Sequence, residues 1–194
     1  METEEIREKK EPKRLPVWAC ILLFALGLFV CMGLYGTIGF GLLSLILGDE
    51  ARHPGLLVYT VTEANMLLSV LTPAVILLYF ERRPFSDLGL TLKGHVRGLW
   101  YGLLVAMLLY LIGFGLSLAI GEVEVTGFQF DPLNLLGTFV FCLLVALTEE
   151  IMMRGYILGR LLHTRMNKFL ALFVSALLFA LLHIFNPNVA FLPM

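Results

Sequence analysis

From Leu15 to Leu47 the chain runs without a single charged side chain. About 20 apolar residues in a helix cross the ~30 Å hydrocarbon core of a bilayer, so this run has length to spare. It is also far longer than the roughly 7 to 15 apolar residues of a signal-peptide core, and is therefore read as a spanning helix that stays attached. The rest of the composition agrees. The 194 residues are 59% hydrophobic and 15% charged, against about 45 to 50% and about 25% in soluble domains. The net charge of -1 offers no basic field for a nucleic acid, so that partner class is set aside.

Repeating this reading along the chain gives an all-α fold, a polytopic transmembrane helix bundle of about five spans. A polar tail, residues 1-14, precedes a single transmembrane domain, 15-194, with spans near 15-47, 56-80, 98-120, 134-160 and 169-190. Pro54 and Gly55 break the first turn. Glycines late in the first span suggest either close helix contacts or ordinary membrane-helix composition. Pro73 is expected inside the second span, where neighbours can satisfy the carbonyl it frees. Glu63, near the start of that span, is expected at the membrane interface, with a cavity lining as the alternative. Cys20, Cys31 and Cys142 lie inside apolar runs without metal or redox spacing and are read as packing residues. His95, among Lys93 and Arg97, is read as solvated. The tail, the 81-97 loop and the 154-168 connection are rich in Lys and Arg, whereas the 48-55 turn holds only Arg52 and the 121-133 loop none. By the positive-inside rule the N-terminus is cytoplasmic, in a multi-pass protein expected in the cell membrane. The apolar ending NPNVAFLPM suggests a chain short for its kind, or a piece of a longer one.

Within VALTEEIMMRGYILGRLL, residues 145-162, Glu149 and Glu150 interrupt an apolar run. A charge near the bilayer centre costs roughly 2.5 to 3.5 kcal/mol on insertion scales, which makes such residues candidates for function. Helical spacing places Glu150 beside Arg154, acid before base in the favourable order. Glu149 points about 100° away and stays unpaired, so it is the better candidate for a general base. In the fifth span Phe179 and His183 share a face, with Ser175 a turn further back, and Asn186, Pro187 and Asn188 follow. His183 lies about 22 Å along its helix from Lys168. Glu149 reaches that depth only if its own helix continues to about Arg160-Arg165. Arg154 is then expected at membrane depth in the protein interior, paired to Glu150.

TEEIMMRGYILGRL resembles the Glu-Glu-x-x-x-Arg motif of the CPBP family (the CAAX protease and bacteriocin-processing family, also called Abi), and FALLHIFNPN resembles its Phe-x-x-x-His motif. RRPFSDLGL is similar to a cytoplasmic loop common in these proteins, so the resemblance covers roughly residues 60-194. It implies an intramembrane endopeptidase, with a peptide or protein substrate in or at the lipid bilayer. In that role Glu149 activates a water and His183 helps hold it, while Glu150, Arg154, Phe179 and Asn186 support the site. In eukaryotic members the substrate is a prenylated protein trimmed at its CaaX end; bacterial members are linked to peptide processing or bacteriocin self-immunity. The family's later motif has a second histidine, and none follows His183 in these residues.

The metal named for the family is a divalent ion such as zinc, for which Glu149 and His183 are the candidate ligands. One His and two Glu could make a zinc site with an open position, although no His-Glu-x-x-His arrangement is present. Two other classes stand beside the peptidase. One is a catalytically silent immunity or scaffold protein that keeps the motifs for packing. The other is a small transporter or proton relay, disfavoured because the spans show no internal repeat.

Overall fold

The structure is a computed structural model that describes residues 15-53, 55-91 and 93-184. Helix α1 (Val17-Leu47) leads through a 3₁₀ turn (Gly48-Arg52) into α2 (Leu56-Phe80), and a second 3₁₀ turn (Phe85-Leu88) precedes α3 (Val96-Ala119). Then α4 (Pro132-Glu149) runs through a π-helical segment (Glu150-Leu158) into α5 (Gly159-Leu162), and α6 (Lys168-His183) folds back. No strand occurs among the described residues. Four helical rods are long and apolar enough to cross a membrane: Val17-Arg52, Leu56-Phe80, Val96-Ala119 and Pro132-Leu162. The chain is a multi-pass membrane protein. Helix α6, with 16 residues, extends about 24 Å; the end of the expected fifth span, and Asn186 with it, lies outside the described residues.

Local chemistry sets the helix starts. The Asp131 carboxylate accepts from the backbone N–H groups of Leu133 and Asn134 at 3.0 and 3.1 Å, with Pro132 in the first helical position. This is a favourable N-cap followed by the residue that tolerates N1 best, and it starts the helix slightly before the expected Asn134. Asn167 caps α6 by accepting from Phe169 N–H at 2.8 Å.

Helices α1 and α2 pack side by side, and α2 also packs on α4. The expected proline in the second span is there. Helix α2 continues through Pro73, and Gly27 of α1 faces it so closely that a Cβ would lie 2.8 Å from the proline Cβ. Glycine spacing in the first span thus includes a true contact position, and α1 runs unbroken. Helix α3 buries no residue. The core gathers instead around the π segment, where Met152, Met153 and Tyr156 meet Phe24 of α1, Val70 and Ala74 of α2, and Ala171 of α6. Tyr156 is fully buried and stacks on Phe24, ring centroids 4.3 Å apart. Such a pair adds about 0.5 to 1.5 kcal/mol beyond the area it buries.

Two readings of charge need revision. The 81-97 segment was expected at the surface and Arg160 in a basic solvated connection, yet Glu81 and Arg160 are both buried. Arg160 Nη1 lies 2.5 Å from Glu81 Oε2, Arg83 Nε lies 3.4 Å from the same oxygen, and the Cys20 thiol donates to Glu81 Oε1 at 2.7 Å. The Arg160 guanidinium also sits 5.2 Å from the Tyr156 ring centroid. Burial is tolerable because each charge is paired, and removing one partner of a buried pair costs more than replacing both. Cys20 is accordingly more than a packing residue.

Arg160→Met is expected to lower stability by about 3 kcal/mol by leaving Glu81 with only the longer Arg83 contact, and the double variant Glu81→Leu/Arg160→Met to recover much of the loss. Unfolding midpoints of the three proteins in mixed micelles read this directly.

Candidate active site

The rod that carries the two glutamates changes its hydrogen-bond step from four residues to five directly after Glu149. Such π segments are rare and occur often at functional sites. Here the wider turn brings Glu149, Glu150, Met153, Arg154 and Leu158 to one wall of a cleft of about 300 Å³, whose other wall is Leu172, Ser175, Ala176 and Phe179 of α6. Three contacts hold the segment in place. Tyr156 is stacked as described. At Gly155 a Cβ would lie 2.6 Å from the Leu88 carbonyl oxygen, so only a glycine lets the Phe85-Leu88 turn press against the helix. On the other side the Ser175 hydroxyl donates to Met153 C=O at 3.1 Å in a buried contact.

The structure brings Glu149 and His183 together. His183 Nε2 lies 3.5 Å from Glu149 Oε1, each side chain a little over a third exposed. The rod continues to Leu162, the length that the depth argument required for the two to meet. His183 Nδ1 lies 2.9 Å from Phe179 C=O, and the two rings are 4.3 Å apart at a tilt of 47°. A carbonyl only accepts, so Nδ1 carries the proton of this bond. Phe179 thus fixes both the orientation and the tautomer of the histidine.

Glu150 and Arg154 form the expected ion pair. The expected interior position of Arg154 is not found: its side chain is 67% exposed and that of Glu150 51%, on the open side of the cleft. The helix turns these residues toward the gap between α4 and α6 instead of the Phe24-Tyr156 core. Gly155 flanks the motif in sequence, whereas sequence spacing did not mark Tyr156, Arg160 or Glu81, which pack behind the site. A Tyr-to-Arg step of four residues was the one available signal, since it puts the Arg160 cation over the Tyr156 ring.

Zinc catalysis takes three protein ligands and an open position. Among the described residues no group of three His, Cys, Asp or Glu side chains stands close enough to hold a metal ion. Glu149 and His183 are two suitable donors, and the nearby Glu150 is engaged by Arg154. The described residues therefore do not complete a zinc site.

Residues 131-194 match the family model described as Rce1-like, type II CAAX prenyl endopeptidase Rce1-like. That segment is similar to this family. The match covers about a third of the chain and contains both the Glu-Glu-x-x-x-Arg and Phe-x-x-x-His motifs. It begins after the RRPFSDLGL loop. No curated protein and no solved structure matches the chain. In the matched segment, then, Glu149, Glu150, Arg154 and Phe179 line one cleft, and His183 meets Glu149.

Ser175→Ala is expected to remove the interhelical bond to the Met153 carbonyl, at a cost of about 0.5 to 1.5 kcal/mol. Hydrogen exchange should then quicken in α6 while the amides of α2 keep their protection.

Proposed function

We propose that the chain is an intramembrane endopeptidase of the CAAX-protease type, which hydrolyses a peptide bond with a water activated by Glu149. The observation that carries this reading is the Glu149-His183 contact. With Nδ1–H donated to Phe179, a neutral His183 turns a bare Nε2 lone pair toward a carboxylate oxygen 3.5 Å away. Two acceptors facing each other need a proton or a donor between them. A water beside the pair supplies one hydrogen to each and leaves its oxygen lone pairs toward the cleft.

The chemistry follows from that placement. As the water oxygen attacks the scissile carbonyl, its proton passes to Glu149 and a C–O bond forms. Collapse of the tetrahedral intermediate breaks the C–N bond, and the leaving amine takes the proton back from Glu149. His183 holds the water through Nε2 and is itself held by Phe179. The Glu150-Arg154 pair leaves Glu149 as the one carboxylate of the motif free to act as base. The substrate class is a peptide or protein at the membrane, and the family description favours a prenylated CaaX end.

The test is cleavage of a farnesylated CaaX peptide by the protein in nanodiscs. Wild type should cleave, and Glu149→Gln and His183→Ala should each lose about 10² to 10⁴-fold in rate, the usual range for a positioned acid-base group. Equal cleavage by all three proteins would dispose of the proposal. No cleavage by wild type, with both variants folded, would favour the silent scaffold.

A further inference from the structure

A second opening lies between α1 and α2, and shares no lining residue with the cleft at Glu149. It measures about 490 Å³, within the range of small-molecule sites. Its α1 wall is Met32, Gly36, Phe40 and Leu43, a single helix face. From α2 come Val58, Thr62, Glu63, Asn65, Met66 and Ser69. At Gly36 the groove is open, since a Cβ built there meets nothing within 4 Å.

Glu63 is the anomaly in this wall. It lies about 10 Å along α2 from Leu56 and lines this opening. Helices α1 and α2 contain no Lys, Arg or His. Among the described residues no cationic side chain comes within 4 Å of it. Of the other buried or cleft-side carboxylates in the described residues, Glu81 is paired with Arg160 and Glu150 with Arg154, and Glu149 faces His183. A carboxylate set in an apolar wall is costly unless a counter-charge meets it.

We propose that this groove binds a lipophilic amine, its alkyl body between Met32, Phe40, Leu43 and Met66 and its ammonium on the Glu63 carboxylate. The apolar walls accept the chain. Thr62 and Asn65 beside Glu63 offer oxygen acceptors for the remaining N–H donors of a primary ammonium. A fatty acid fails on charge, and an alcohol of the same length lacks the ionic contact. The site stands independently of the peptidase reading.

The experiment uses the full chain in phosphatidylcholine nanodiscs and a dodecylamine carrying a photoreactive diazirine, with the matching alcohol as control. The amine should label peptides of α1 and α2 saturably, and unlabelled dodecylamine should compete. Glu63→Gln should weaken the amine by about tenfold or more and leave the alcohol unchanged, as loss of a charge-assisted hydrogen bond predicts. Gly36→Leu, which fills the space and keeps Glu63, should abolish labelling by the amine. Equal labelling by amine and alcohol, or no effect of Glu63→Gln in a protein with native helix content, would mean a groove filled by lipid tails and would overturn the proposal.

Discussion

A helix that changes from an i→i+4 to an i→i+5 ladder puts carbonyl groups out of line, and within a membrane-spanning chain those groups need donors from the protein. The π segment Glu150-Leu158 meets this demand partly through Ser175, whose hydroxyl donates to Met153 C=O at 3.1 Å. That bond does two things at once. It satisfies a buried acceptor, and it fixes α6 against the rod that carries Glu149. With α6 so fixed, two further turns along it bring His183 to Glu149. Tyr156 on Phe24 and Leu88 on Gly155 clamp the same segment from the opposite side.

Ionisable groups in so apolar a chain are handled in three ways. Glu81 and Arg160 are buried and paired, closing the ends of α1, α2 and α5 onto one another through Cys20 and Arg83. Glu150 and Arg154 are paired on the open side of the cleft. Glu149 faces only a histidine. The chain thus fixes the structural charges and leaves one carboxylate available, and that separation is what general-base chemistry requires.

Much of this was legible in the sequence because membrane spans are long and their signal is redundant. Runs such as 15-47 and 56-80 reappear almost unchanged as α1 and α2. The meeting of Glu149 with His183 was also legible, since rise per residue and loop position fixed the relative depth of the two. The π segment was not. A period of 3.6 was assumed throughout, and the five-residue step comes from packing around Tyr156, Gly155 and Ser175, which lie on three separate contacts. Arg160 and Glu81 were misplaced for a related reason: charges at span ends are usually solvated, and only the three-dimensional approach of α5 to the end of α2 pairs these two. Glu63 stayed open between interface and cavity because nothing local reveals which residues of another helix lie in front of it.

The account turns on Glu149 and His183 acting on one water as a unit. Single-turnover cleavage of a farnesylated CaaX peptide by wild type, Glu149→Gln, His183→Ala and the double variant measures that coupling, because groups that act together are strongly non-additive. The account predicts a double variant about as slow as the slower single variant. Losses that multiply independently would contradict it.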